Sequence, residues 1–158
     1  MKQSITETIT ATPSALWPFL LPDRWHLWLA TDGPLPRLES AQMDGDTITA
    51  TAADGQRAVY RVDRRQNGQM IVYTLAQQEN APWPVQLRHT LILHPATETE
   101  TDFVWNVEWD RPESGGLREY IGNWLINDEI YEMMDLSTWN LKALVENGPT
   151  DPDTDPNE

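Results

Sequence analysis

Hydrophobic and polar residues alternate along most of the first two-thirds of the chain, then give way to one long stretch with helical spacing. Ser4 to Ala11 sets Ile5, Glu7, Ile9 and Ala11 against Ser4, Thr6, Thr8 and Thr10. This threonine-rich period of two predicts a strand with one half-buried face. Thr12-Pro13-Ser14 ends it, because threonine caps helices well and proline is favoured at a first helical position. Leu16, Trp17, Phe19 and Leu20 give the short helix that follows its apolar side, with Pro18 in its first turns, where a missing amide costs little. Asp23 is the expected cap of a second short helix, Arg24 to Ala30, carrying Trp25, Leu27, Trp28 and Leu29, and Thr31-Asp32-Gly33-Pro34 closes it.

From Arg37 to Asp110 the alternation resumes as a meander. The expected strands are Leu38 to Met43, Thr47 to Ala53, Arg57 to Arg65, Gln69 to Gln78, Val85 to His94 and Thr101 to Asp110. Asp44-Gly45-Asp46, Asp54-Gly55, Asn67-Gly68 and the polar run Pro95 to Glu100 lie between them, and Asp-Gly and Asn-Gly are strong hairpin signals. With no helical crossover between strands, the sheet of seven should be antiparallel. Val85, Leu87, His89, Leu91 and Leu93 share one face of their strand, and Phe103, Trp105, Val107 and Trp109 share a face of the next. Such faces either fill the interior solidly or leave an apolar cavity, and the pattern is compatible with both.

Ser114 to Gly148 is the longest element. Ser114 is a suitable N-cap, and Gly148-Pro149 is the expected stop. At about 100 degrees per residue, Leu117, Tyr120, Ile121, Trp124 and Tyr131 cluster in one direction. Ile130, Met134, Leu141, Leu144 and Val145 cluster in another. Asn127-Asp128-Glu129 marks the changeover, so the helix is expected either to kink there or to cover two surfaces. Met133 and Leu136 point elsewhere and are candidates for a homodimer contact. Beyond them, residues 149–158 are proline, aspartate, threonine, asparagine and glutamate, the composition of a disordered acidic tail. The expected organisation is one domain over residues 1–148.

Composition narrows the function classes. A net charge of −14 opposes nucleic acid and anionic lipid surfaces, both of which need clustered Lys and Arg. Without cysteine there are no disulfides or thiolate metal sites. The first residues lack a signal peptide's apolar core, and there is no run of about 18 apolar residues. A cytoplasmic protein without stable membrane insertion is the expectation. Eight tryptophans are many for 158 residues and require packing partners.

Candidate chemistry is sparse. His89, in an apolar row, reads either as a core histidine bonded to a neighbour or as a polar anchor or general acid/base group in a pocket. His26 and His94 read as surface residues, and three histidines without close spacing argue against zinc. The chain has no nucleophile elbow, no phosphate-cradling glycine loop and no dinucleotide fingerprint. Asp23, Asp32, Asp128 and Asp135 do not rise above the ordinary acids of helix starts and solvated faces. No cofactor is expected, and His89 is the one weak catalytic candidate.

The order of elements (strand, two short helices, six-stranded meander, long C-terminal helix) resembles the helix-grip architecture of the START/Bet v 1-like (SRPBCC) superfamily. That superfamily includes polyketide cyclase/dehydrase-like and Aha1-type proteins. Ile9-Thr10-Ala11-Thr12-Pro13-Ser14-Ala15-Leu16-Trp17 is similar to the family's Ala-x-Pro-x-x-Val-Trp segment, with Leu16 standing where the valine would be. Trp25-His26-Leu27-Trp28 falls where relatives often carry a tryptophan-rich second helix. The resemblance implies an α+β helix-grip fold, a curved seven-stranded antiparallel sheet wrapped around the C-terminal helix. It also implies a cavity between sheet and helix for a small hydrophobic or aromatic molecule, such as a lipid or polyketide. On that picture the early half of the long helix lids the cavity, and Trp28, His89, Trp105, Tyr120, Trp124, Asn127 and Tyr131 are the expected ligand-binding residues. A cyclase, dehydratase or hydrolase using the same cavity is one alternative. An Aha1-like protein-interaction module is another.

Overall fold

The computed structural model describes residues 1–30, 38–78, 87–110 and 117–148, with side chains described for all of these except Gln78 and residues 117–126. Seven strands form one antiparallel sheet in the order β1-β7-β6-β5-β4-β3-β2. They are β1 (Lys2–Ile9), β2 (Leu38–Asp44), β3 (Thr47–Ala52), β4 (Arg57–Gln66), β5 (Met70–Gln78), β6 (Arg88–Pro95) and β7 (Thr101–Glu108). Helix α1 (Pro13–Leu20) and a 3-10 helix (Pro22–Leu27) follow β1, and α2 (Leu117–Asn147) closes the chain of elements. The sheet is curved, and α1, the 3-10 helix and α2 supply the other side of its core.

Local chemistry accounts for most boundaries. Thr12 caps α1 by accepting from the Ala15 amide at 3.3 Å, with Pro13 as its first residue. Gly55 and Gly68 hold φ of 85 and 80 degrees in the hairpins on either side of β4, a conformation glycine adopts without a Cβ penalty. Helix α2 stops before Gly148, at φ 73 degrees. The expected tail, 149–158, and the expected cap Ser114 lie outside the described residues.

Three expectations are corrected. Strand β1 begins two residues early and ends at Ile9: Lys2 pairs with Glu108, while the Ala11 amide turns back onto the Ile9 carbonyl at 2.9 Å. The second short helix is a 3-10 turn beginning at Pro22, not a helix from Arg24 capped by Asp23. Proline's fixed φ and missing amide suit a first helical position, so Pro22 starts the turn and Asp23 lies inside it. Met133, expected to face away, packs in part against the core. The chain does not break at Asn127-Asp128-Glu129, since α2 is one continuous helix.

Helix α2 lies along β1. Asn127 Oδ1 accepts from Gln3 Nε2 at 2.6 Å, Lys142 Nζ donates to Glu7 Oε1 at 2.8 Å, and Glu146 Oε1 accepts from the Thr10 amide at 2.8 Å. The helix therefore runs from the start of β1 towards its end. Register across the sheet stacks the inward residues in rows. One row is Gln3, Val107, His89, Tyr73 and Val62, and the next is Ile5, Trp105, Leu91 and Ile71. Further along, Ile9, Leu16, Leu20, Phe103 and Leu141 are wholly buried. There the Thr101 hydroxyl donates to the Ala11 carbonyl at 2.7 Å, and the Ser137 hydroxyl accepts from the Ala30 amide at 2.8 Å.

Candidate functional site

The site grows from the end of α1. A helix leaves its last carbonyls without internal partners, and here two indoles take them: Trp25 Nε1 donates to the Leu20 carbonyl at 2.8 Å and Trp28 Nε1 to that of Phe19 at 2.7 Å. These bonds anchor both rings in the core. Trp25 lies 4.8 Å from Tyr73 and 6.0 Å edge-on to Tyr60, centroid to centroid. Trp28 meets Phe103 and Trp105 edge-on at 6.2 and 5.8 Å. Tyr60 on β4 and Tyr73 on β5 touch in turn, edge to face at 5.4 Å.

His89 is at the centre of this group. Its ring stacks on Tyr73 at 4.8 Å with 10 degrees between planes, and the Tyr60 ring stands 6.2 Å away. Trp105 Nε1 donates to His89 Nδ1 at 3.3 Å. An indole N–H can only donate, so Nδ1 must present a lone pair and the neutral ring carries its proton on Nε2. Burial disfavours the charged form and lowers the His89 pKa from 6.5 to about 4. Burial likewise pushes Tyr60 up to about 12, and burial followed by the neighbouring Tyr60 raises Tyr73 well above its ordinary value. At neutral pH all three are uncharged.

Their polar atoms are only partly used. His89 Nε2 and the phenol oxygens of Tyr60 and Tyr73 have no hydrogen-bond partner in the protein among the described residues. Trp109, inward-facing and two residues past Val107, buries an indole N–H that also has none, and so does the hydroxyl of Thr138 on α2. Among the described residues no cluster of His, Asp and Glu could hold a metal ion. Burial alone accounts for the His89 shift, so no carboxylate of the described residues acts on the imidazole.

Comparison with known proteins adds architecture. No family model matches the chain, and no curated protein matches its sequence. Solved structures do match. A START superfamily protein from Mycobacterium smegmatis superposes with a TM-score of 0.70 at 9% identity, over 92% of this chain and 97% of that one. A conserved protein from Geobacillus kaustophilus gives 0.71 at 13% identity, over 93% and 96%. A protein from Chromobacterium violaceum gives 0.63 at 21% identity, over 92% and 96%. The fold is the START-like helix grip.

Within the grip, three expected binding residues come together: Trp28, His89 and Trp105 share ring contacts and a hydrogen bond. Asn127 sits beside their row through its bond to Gln3, which pairs with Val107, itself paired with His89. Tyr131 is placed elsewhere, 46% exposed on α2. The side chains of Tyr120 and Trp124 lie outside the described residues. His26 and His94 are exposed, as expected. Sequence reasoning passed over Tyr60 and Tyr73, although period two was signal enough to place Tyr60 with Ala58 and Val62, and Tyr73 with Ile71 and Leu75, on inward faces.

Proposed function

We propose that this protein binds a small apolar or aromatic molecule between the sheet and the C-terminal helix, against the rings of Trp28, Tyr60, Tyr73, His89 and Trp105. One observation carries the reading: a continuous aromatic surface on the concave face is joined by several polar atoms that the described protein leaves unpartnered. Ligand sites are commonly built this way, from apolar and aromatic walls with few polar groups to fix orientation. Buried polar atoms without partners cost stability unless something satisfies them. The helix-grip architecture supports the same reading, and among the described residues no helix is long and apolar enough to cross a membrane.

An enzymatic use of the place, of the cyclase or dehydratase kind, has less support. It requires His89 to exchange a proton with a second titratable group, and the imidazole is both hard to protonate and, among the described residues, without a carboxylate acting on it. Native mass spectrometry of freshly purified protein, alone and mixed with a library of neutral lipids and polycyclic aromatics, tests the binding reading. A retained or acquired mass that also quenches tryptophan fluorescence is expected. A bare mass throughout would count decisively against it.

A further inference from the structure

Resting on that reading of the site, we infer that it selects an uncharged aromatic ligand bearing a hydrogen-bond acceptor, such as a ring ketone, over both the bare hydrocarbon and the carboxylate. Selectivity follows from the polar atoms left over once the protein's own bonds are made. Trp25 and Trp28 spend their indole N–H groups on Leu20 and Phe19, and Trp105 spends its own on His89. What stays unspent is mainly donor. His89 Nε2 carries the proton because Nδ1 accepts from Trp105, and Trp109 Nε1 has no lone pair to offer. The phenols of Tyr60 and Tyr73 donate or accept.

A ligand completing this set must therefore bring acceptors. Its ring system packs beside the cluster of Tyr73, His89 and Trp105, in which Tyr73 and His89 already stack on each other. Charge is excluded by the same groups. The imidazole stays neutral, the phenols stay protonated, and no Lys or Arg of the described residues contributes to the shifts of His89, Tyr60 or Tyr73. A carboxylate brought there would lose its hydration without gaining a countercharge. A hydrocarbon would leave the donors unsatisfied, whereas a ketone oxygen satisfies at least one.

The test uses three compounds on one tricyclic frame: fluorenone, fluorene and fluorene-9-carboxylate. Dissociation constants come from tryptophan quenching, and the carbonyl stretch of bound fluorenone from difference infrared spectroscopy. Fluorenone is expected to bind about tenfold tighter than fluorene, the size of one neutral hydrogen bond. The carboxylate should bind more weakly than either, and the carbonyl band should shift to lower frequency. His89→Phe and Tyr73→Phe keep the ring stack, and at least one should bring fluorenone and fluorene to parity and return the band towards its apolar-solvent position. The wild-type ranking and band require no variant, so a misfolded substitution leaves the test intact. Equal affinity for ketone and hydrocarbon with an unshifted band overturns this inference while leaving the binding reading standing. Tightest binding of the carboxylate overturns it too. Binding of none of the three removes both.

Discussion

The two ends of the concave face are built from similar hydrophobic material and solve the polar problem differently. Near the end of β1, hydrocarbon from β1, α1, β6, β7 and α2 meets around Ile9, Leu16, Leu93, Phe103 and Leu141. Of the polar side chains buried nearby, Thr101 and Ser137 are each bonded to backbone, and Thr138, next to Ser137, is the exception. Near the start of β1, aromatic rings replace aliphatic ones, and His89, Tyr60, Tyr73 and Trp109 keep polar atoms without partners among the described residues. The first end is what a sequence optimised for folding produces. The second departs from that rule at several neighbouring positions, and such departures concentrate where a fold does something besides fold. The difference teaches where to look for function in a chain without a catalytic motif.

The largest expected effect is at the closed end. Leu141 is wholly buried on α2, and Leu141→Ala removes its packing and leaves a void. A loss of about 2–5 kcal/mol is expected in urea unfolding. An effect under about 1 kcal/mol would show that the closed end is loosely packed and would erase the contrast.

A pH experiment reads the aromatic end next. The folded His89 pKa of about 4 lies below the ordinary 6.5. As pH falls through 6.5 the unfolded chain takes up a proton that the folded site refuses, so stability is lost between about pH 6.5 and 4 and levels off below. Above pH 6.5 both states are neutral at this residue and it contributes no slope. At about 1.4 kcal/mol per pH unit the interval is worth about 3 kcal/mol in total. Tyr60 and Tyr73, the titratable groups facing the ring, stay protonated throughout this window. Subtracting the stability profile of His89→Phe from that of the wild type isolates the effect, because the many carboxylates are common to both. Parallel profiles between pH 7 and 4 would mean that water reaches the imidazole freely.

How much of this contrast was legible beforehand depends on the range of the interaction. Local signals were sufficient for the grip: the Thr12-Pro13 cap, the glycine turns at Gly55 and Gly68, and the Gly148 stop all act within a few residues. Period two placed His89 and Trp105 on inward faces, and the likeness of Trp25-His26-Leu27-Trp28 to a tryptophan-rich second helix marked Trp28. The site itself depends on register. Tyr73 stacks on His89 because β5 and β6 pair those two residues, and alternation cannot say which residue of one strand faces which of another. Tyr131 shows the complementary failure. A helical wheel groups it with Tyr120 and Trp124, but direction on a wheel does not say how far around the helix its covering extends, and Tyr131 ends up exposed.

The smallest expected effects make the most discriminating pair. Thr101→Val and Tyr73→Phe each delete one hydroxyl from a buried residue and nearly preserve shape. At the closed end, Thr101 donates to the Ala11 carbonyl at 2.7 Å, so the valine loses a bond and leaves that carbonyl short of a partner. A cost of about 1–2 kcal/mol is expected. At the aromatic end, the Tyr73 hydroxyl has no partner to lose among the described residues. Removing it breaks no bond among the described residues and keeps the ring that stacks on His89. Tyr73→Phe should therefore change ligand-free stability by less than about 0.5 kcal/mol, or increase it. Chemical denaturation of both variants, with ligand stripped, makes the comparison directly. A cost at Tyr73 equal to that at Thr101 would mean that its hydroxyl already serves the folded chain, and the aromatic end would then be an ordinary part of the core.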